Sequence, residues 1–338
     1  MNCPKIIPIP NSPCAHYIPN TNTKEAGYCK LPSMFRCVEA LKHYSIKLSH
    51  SAIQDYLKCR RLFYIKHIAG LTTRDDLVTS PMKMGKMYDI MVGGMYENDT
   101  DYRKHLHDYI ESSKINEFNL AMVNGFVRGM QEFIEPNLDG FVGLQKEFQY
   151  SRYDSINGDI LIHGFYDRLY DNHFVESKFT GYPDMYITHP FHILSQIGTY
   201  FLVDEKLEYV IMEVARKPQL KVKDNETSDM FERRVYGDLI KRPSYYLIGL
   251  DKSKHMFGKI FYRNEFDLVG LNERYGIIIR EIREMMERDS YYHDETSCEK
   301  WGTTCPMLNV VCELNGKMNL ENFVRREKPW EKEIAKTN

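Results

Sequence analysis

Two neighbouring segments, Gly164-Phe165-Tyr166-Asp167 and Phe174-Val175-Glu176-Ser177-Lys178, indicate how this chain folds. Residues 159–170 are rich in Ile, Leu, Phe and Tyr, which is typical of a β-strand. The pair Asp171-Asn172 favours a tight turn, and residues 173–179 have the composition of a returning strand. The sequence therefore predicts a β-hairpin with a two-residue loop.

The predicted register of this hairpin brings charged side chains together. A two-residue loop places Tyr170 opposite His173, and counting back from this pair places Asp167 opposite Glu176. Directly opposed side chains point to one face, with Cβ atoms about 5 Å apart. Lys178 lies two residues beyond Glu176, so it shares that face. Two carboxylates and one ammonium group are thus expected on one side of the hairpin.

Such a set of side chains suits metal-assisted hydrolysis of a phosphodiester bond. Two neighbouring carboxylates repel each other unless a cation lies between them. A hard cation such as Mg²⁺ or Mn²⁺ takes oxygen ligands, lowers the pKa of a bound water and polarises a phosphoryl oxygen. A nearby lysine orients that water or meets the negative charge that develops on the phosphoryl group. The alternative is an ordinary solvated strand face, because a Glu-x-Lys pattern is common.

A third group of polar residues follows the hairpin. Thr188 is the expected N-cap, and Pro190 a first-turn residue, of a helix that extends to about Val203. Gln196 and Tyr200 are four residues apart in this helix, so they share one helical face. The helix therefore presents an amide and a phenol on one side.

The three groups together resemble the PD-(D/E)XK nuclease superfamily, in the RecB-like branch that includes the CRISPR-associated exonucleases. That branch carries Gly-x-x-Asp, then Glu-x-Lys at the end of the next strand, then Gln-x-x-x-Tyr on the following helix. This chain has the three motifs in that order at Gly164–Asp167, Glu176–Lys178 and Gln196–Tyr200. The resemblance spans roughly residues 49–312. It implies an α/β fold with a mixed central sheet flanked by helices (a restriction-endonuclease-like core) and a helical insertion.

The resemblance also implies an activity and a set of catalytic residues. The implied activity is that of a metal-dependent DNA nuclease, an exonuclease acting on single-stranded DNA ends. The implied roles are metal binding by Asp89, Asp167, Glu176 and the Ser177 carbonyl, positioning of the attacking water by Lys178, and positioning of the substrate strand or bracing of the hairpin by Gln196 and Tyr200.

Asp89 departs from the pattern of this branch. The family usually has a glycine followed four residues later by a metal-binding histidine, whereas here Gly85 is followed by Asp89. Aspartate also ligates Mg²⁺ and Mn²⁺. The metal role of Asp89 therefore stands beside the alternative of an ordinary polar position on a helix.

A second expected site is made of cysteines. Ser49 and the residues after it resemble the capped opening helix of the branch, which carries a cysteine. In the family this cysteine joins three near the C-terminus to hold a [4Fe-4S] cluster, and the matching residues here are Cys59, Cys298, Cys305 and Cys312. Zinc is the alternative, because four cysteines also suit a tetrahedral site. Buried cysteines without a metal are a further alternative.

Residues 1–45 form a distinct N-terminal segment with Cys3, Cys14, Cys29 and Cys37. Four cysteines in a short segment of low apolar periodicity suggest a metal staple rather than disulfides in an intracellular protein. Zn²⁺ held by these cysteines is one interpretation. Their irregular spacing leaves a flexible arm with unpaired thiols as the other.

The predicted domain organisation has three parts. The N-terminal segment 1–45 is followed by a nuclease domain at 46–320, and residues 321–338 form a charged tail. The nuclease domain contains the helical insertion near 76–140 and the cluster-binding segment at 290–315.

The composition is that of a globular protein within the cell. Of 338 residues, 43% are hydrophobic and 27% are charged, which is ordinary for a globular chain. We find no apolar run long enough to span a bilayer. Residues 1–10 are interrupted by Pro4, Lys5 and Pro8 and lack a signal-peptide core. We therefore expect a cytoplasmic protein without a membrane partner.

The charge distribution limits how DNA would bind. The net charge is −2, so a DNA site must be a local basic groove rather than a global field. Basic residues mixed with tyrosines suggest such a groove for single-stranded DNA, with a solvated surface as the alternative. The basic and aromatic residues concerned are Arg216, Lys217, Lys221, Lys223, Arg233, Arg234, Lys241, Arg242, Tyr236, Tyr245 and Tyr246.

Two other functions fit the same scaffold. One is a non-catalytic DNA-binding protein, against which the complete Asp/Glu/Lys set argues. The other is an adaptor subunit of a recombination or CRISPR adaptation complex, which would co-purify with a helicase or integrase partner.

Overall fold

The structure is a computed structural model. It describes residues 46–68, 70–74, 78–96, 100–154, 158–188, 194–288 and several shorter stretches. The shorter stretches are 17–18, 28–29, 290–292, 294, 296, 298–300, 303–305 and 323–325.

Strands and helices alternate along the described chain. The strands are β1 Tyr17–Ile18, β2 Tyr28–Cys29, β3 Ile46–Ser49, β4 Leu71–Thr73, β5 Phe141–Asp154, β6 Gly158–Tyr170, β7 His173–Thr180, β8 Tyr209–Arg216, β9 Lys259–Tyr262, β10 Glu299–Lys300, β11 Thr303–Thr304 and β12 Phe323–Arg325. The α-helices are α1 His50–Lys58, α2 Arg60–Phe63, α3 Ser80–Tyr96, α4 Thr100–Ser113, α5 Glu117–Met130, α6 Asp184–Ile187, α7 Leu194–Val203, α8 Ser228–Lys241, α9 Pro243–Tyr246 and α10 Leu268–Glu287. A π-helix follows α2 at Tyr64–Ile68, and a 3₁₀-helix follows β9 at Arg263–Glu265.

The chain divides into two compact units. One contains the residues up to 72, residues 150–163 and the residues from 274 onward. The other contains residues 73–149 and 164–273. The predicted domain bounds at residues 45 and 320 lie outside the described residues.

Six strands form one mixed sheet in the order β3-β6-β7-β8-β9, with β5 also paired to β6. The pairs β3–β6 and β7–β8 are parallel, whereas β6–β7 and β8–β9 are antiparallel. Parallel neighbours need a crossover, and α7 lies in the connection between β7 and β8. The prediction of an α/β fold with a mixed sheet and helices around it is confirmed.

The helices also occur where the sequence predicted them. The stretch predicted as a helical insertion forms α3, α4 and α5 between β4 and β5. The opening helix α1 begins as expected, because the hydroxyl of its N-cap Ser49 accepts a hydrogen bond from the backbone N–H of Ala52 at 3.2 Å. No helix in the described part of the chain is long and apolar enough to cross a bilayer.

The predicted hairpin is formed by β6 and β7, with Asp171 and Asn172 as its loop. Its ladder contains the pairs Arg168↔Val175 and Leu169↔Phe174, which is the predicted register. By the same count, the next opposed residues are Asp167 and Glu176 of the predicted site. The ladder ends before them, so β6 and β7 separate at the site.

Helices cover both faces of β7 and β8. On one face Phe174 and Met212 pack in a buried cluster with Phe201 of α7. On the other face Phe179 and Ala215 join a cluster formed by α3, α5 and α8. Alternate residues of β7 therefore lie in two different cores, and this double packing holds the strand that carries the site.

The contact between α5 and α8 depends on a residue without a side chain. A Cβ atom added to Gly125 of α5 would overlap the backbone carbonyl of Glu232 in α8. Gly237 of α8 has open space at the same position, with nothing within 4 Å. The two glycines form a matched pair for testing this helix contact.

We expect Gly125→Ala to lower the free energy of unfolding by about 1–3 kcal/mol, because the helices must move apart. Gly237→Ala should raise it by up to about 1 kcal/mol, since alanine favours a helix and meets no obstacle. Urea unfolding followed by circular dichroism would measure both. Equal effects of the two substitutions would show that α5 and α8 do not pack this closely.

Candidate active site

Glu176 is the most deeply buried member of the predicted catalytic set. The residue is 2% exposed. Its Oε1 atom accepts hydrogen bonds from Lys178 Nζ and from Gln196 Nε2, the latter at 2.8 Å. Its Oε2 atom is buried and has no hydrogen-bond donor among the described residues. One oxygen of a buried carboxylate is therefore left for a ligand.

Asp167 lies at the point where β6 separates from β7. Its Oδ2 atom accepts the backbone N–H of Ser177 at 2.9 Å, so a side chain replaces the next rung of the ladder. Its Oδ1 atom accepts from Gln145 Nε2 at 3.3 Å. Gln145 lies within β5 and has a φ of 46°, a left-handed conformation that is uncommon for a residue other than glycine. Asp167 is thus held from both neighbouring strands.

Three carboxylates influence one another at this place. Burial, and then the carboxylate of Asp167, raise the pKa of Asp89 to about 7. The same two causes in the same order raise the pKa of Glu176 to about 7. Burial acts to lower the pKa of Lys178, but the carboxylates of Glu176 and Asp167 outweigh it and the pKa lies above its ordinary value. Asp89, which comes from α3, therefore belongs electrostatically to the site.

Gln196 of α7 contacts both Glu176 and Tyr200. Gln196 Nε2 donates to the Tyr200 hydroxyl at 2.8 Å as well as to the carboxylate. Tyr200 is 5% exposed, and its ring lies 5.0 Å from that of Phe174. These contacts connect α7 to the hairpin through Glu176, and both predicted roles of the pair stay predictions.

The start of the helix that carries Gln196 differs from the prediction. Thr188 is the C-cap of the short helix α6, and its backbone N–H donates to the carbonyl of Asp184 at 2.9 Å. Helix α7 is described from Leu194, and Pro190 lies outside the described residues. The expectation that Thr188 is an N-cap was wrong, because its backbone completes the preceding helical turn.

A buried ion pair behind the site was not predicted. Arg168 is 3% exposed, and its guanidinium donates to both oxygens of Glu213 on β8. The same group donates to the hydroxyls of Ser177 and Tyr96. Glu213 within the apolar run 210–215 of β8 was the sequence signal, because buried charges are paired. This network fixes the side chain of Ser177.

The oxygen-rich site does not contain a complete metal cage. Among the described residues, no three side chains of His, Cys, Asp or Glu are arranged to hold a metal ion. The donors that are present are nevertheless the carboxylates and backbone carbonyls that hard divalent cations prefer. The unsatisfied Glu176 Oε2 and the repulsion among the carboxylates both fit a cation at this place.

Three of the four cysteines predicted to bind a cluster are connected by hydrogen bonds. Asp294 connects two of them, since its N–H donates to Cys59 Sγ at 3.5 Å and its carbonyl accepts from Cys298 Sγ at 3.6 Å. The N–H of Cys305 donates to the carbonyl of Cys298 at 2.7 Å. Cys312 lies outside the described residues. Hydrogen bonds thus connect one cysteine from α1–α2 with two from the C-terminal segment, although no three His, Cys, Asp or Glu side chains of the described residues are arranged to hold a metal.

The predicted N-terminal zinc ligands fall mainly outside the described part of the chain. Cys3, Cys14 and Cys37 are not among the described residues. Cys29 lies in β2, where it pairs with Tyr17 of β1. Zinc binding by this segment stays a prediction.

Comparison with known proteins does not assign a family. A scan against protein-family models finds no match for this chain, and a search of curated proteins finds none either. The function must therefore be inferred from the residues and their geometry.

We predict that Cys59, Cys298, Cys305 and Cys312 hold one [4Fe-4S] cluster, with four thiolates as its ligands. Protein purified without oxygen should then be brown, absorb near ~400 nm and contain iron. Cys305→Ala should remove the colour and lower the melting temperature, whereas Cys14→Ala should change neither. A colourless protein that contains zinc and no iron would assign the site to zinc instead.

Proposed function

We propose that this protein is a divalent-metal-dependent nuclease that hydrolyses phosphodiester bonds in DNA, as an exonuclease on single-stranded ends. The observation that carries the proposal is the buried Glu176 carboxylate, which contacts Lys178 and Gln196 and keeps one oxygen without a donor. Asp167 and Asp89 add further negative charge to the same place. A purely structural Glu–Lys pair would not need this accumulation of carboxylates.

Asp167, Glu176 and the Ser177 carbonyl would hold Mg²⁺ or Mn²⁺, with Asp89 as a further ligand. When bound, the ion lowers the pKa of a ligand water and polarises a phosphoryl oxygen. The chain keeps these ligands in place through the N–H of Ser177, which bonds to Asp167, and through the Arg168 guanidinium, which bonds to the Ser177 hydroxyl. Such support matters because small displacements of catalytic groups lower the rate strongly.

Lys178 supplies the positive charge that phosphoryl transfer requires. Its raised pKa keeps the side chain protonated at neutral pH, and about a quarter of the side chain is exposed. An ammonium group at this position orients the attacking water and stabilises the charge that develops on phosphate oxygens. Gln196 restrains the Glu176 carboxylate through its amide, and Tyr200 in turn restrains Gln196.

The resemblance to RecB-like PD-(D/E)XK nucleases supports DNA as the substrate and the single-stranded end as the preferred structure. The support comes from the order and spacing of the three motifs, each of which contributes a residue to this site. Membership of that superfamily is part of the proposal. A [4Fe-4S] cluster held by the cysteines would stabilise the fold, since the hydrolysis needs no electron transfer.

Lys178→Ala should reduce cleavage of an end-labelled single strand by at least about 100-fold while Mn²⁺ still binds, because lysine acts on the water and the phosphate. Glu176→Gln should lose both metal binding and cleavage. Gel analysis of the strand and calorimetric titration with Mn²⁺ would measure the two effects. Turnover of Lys178→Ala at the wild-type rate would contradict the proposal. A wild-type protein that binds the strand without shortening it would be a DNA-binding module instead.

Asp89→Asn should raise the Mg²⁺ concentration needed for half-maximal cleavage by about tenfold or more, because a charged ligand becomes neutral. The thermal stability of the metal-free protein should stay the same or rise, since one repelling carboxylate is removed. Asp108→Asn, an exposed residue on α4, removes the same charge and should change neither quantity. Unchanged metal dependence of Asp89→Asn would make Asp89 an ordinary helix residue.

A further inference from the structure

The basic residues near the end of β8 differ in whether an acid neutralises them. Arg234 bonds to both carboxylate oxygens of Glu226, and Arg242 forms an ion pair with Asp238. Arg216 has no carboxylate within ion-pairing distance in the described part of the chain. Its charge is therefore not compensated by the neighbouring described side chains.

Arg216 is nevertheless held in a defined position. Its Nε–H donates to the backbone carbonyl of Tyr245 at 3.1 Å. Its guanidinium carbon lies 4.7 Å from the centroid of the Tyr245 ring, and that of Arg242 lies 4.8 Å from the same centroid. Both terminal amino groups of Arg216 lack an acceptor among the described residues. A planar cation that is fixed by stacking and by its Nε has its two free amino groups oriented in advance.

The position of Arg216 relates it to the proposed catalytic residues. β7 and β8 are parallel, and their register pairs Lys178 with Val214 and Thr180 with Arg216. Side chains alternate along a strand, so Lys178 and Arg216 leave the sheet on the same face. One strand spacing and two residues of rise separate their Cα atoms, which is about 8 Å. Arg216 thus lies at the carboxyl ends of β7 and β8, on the same face of the sheet as Lys178.

We propose that Arg216 binds a backbone phosphate of the nucleic acid strand, next to the phosphate that is cleaved. The two free amino groups match two oxygens of one phosphate, which is the geometry that guanidinium groups prefer. Tyr245 is a positioning residue that holds the guanidinium. This inference rests on the proposed nuclease function and adds to it a contact that fixes where along the strand cleavage occurs.

The test is direct binding of a fluorescent single-stranded oligonucleotide to the full chain carrying Lys178→Ala, at several salt concentrations. Adding Arg216→Gln should weaken binding roughly tenfold, as expected for one charged hydrogen-bonded contact. It should also reduce the slope of log affinity against log salt by about 0.7, the value for one phosphate of a single strand. Arg103→Gln removes the same charge from an exposed position on α4, outside the predicted basic groove, and should leave the slope unchanged.

Tyr245 gives a second readout that a general loss of charge would not produce. Tyr245→Ala should weaken binding while the net charge stays constant, and Tyr245→Phe should restore it, because the ring is what holds Arg216. An equal loss for Arg216→Gln and Arg103→Gln would overturn the inference, as would binding by Arg216→Gln that equals its parent.

The two proposals fail in distinguishable ways. Cleavage by Lys178→Ala at the wild-type rate would contradict the nuclease mechanism, whatever Arg216 does. An inactive Lys178→Ala protein whose strand binding does not depend on Arg216 would leave the nuclease proposal intact and overturn the phosphate contact. Thermal melting of each variant checks that the loss of binding does not come from unfolding.

Discussion

Burial of the Glu176 carboxylate is the constraint on which the proposed site depends. Removing a charge from water costs several kcal/mol unless partners compensate it. Lys178 and Gln196 compensate one oxygen, while the other has no donor and Asp167 and Asp89 add repulsion. Either a proton or a cation resolves this conflict. A divalent cation is the solution that also performs chemistry, which is why we propose metal-assisted hydrolysis.

The rest of this unit explains how such an unfavourable arrangement is kept in place. β7 is paired with β8 along its whole length, and separate hydrophobic cores pack on its two faces. β6 separates from β7 at Asp167, whose side chain takes the N–H of Ser177. Beneath it, the buried pair of Arg168 and Glu213 fixes the Ser177 hydroxyl. The burial of charge and the repulsion among the carboxylates are thus offset by packing and hydrogen bonds around the site.

Local patterns in the sequence were sufficient for a large part of this arrangement. The hairpin register follows from a two-residue turn, because the period of a strand is two and each pair counted back from the turn is determined. The shared face of Gln196 and Tyr200 similarly follows from the helical period, because residues four apart are neighbours on a helix. The assignment of Thr188 as an N-cap failed because a threonine can either precede a helix or follow one. Only its backbone conformation shows which of the two positions it occupies, and Thr188 follows α6.

The α/β class, the hairpin and the sets of side chains that share a face were predictable from the sequence, because they depend on residues close together in the chain. The distant partner of each polar group became known only from the packing of the strands and helices. Arg168 pairs with Glu213, which is forty-five positions away. Arg216 stacks on Tyr245 and is left without a carboxylate among the described residues. Such pairings depend on how the strands and helices pack against one another. The pattern of residues near each partner in the sequence does not indicate this packing.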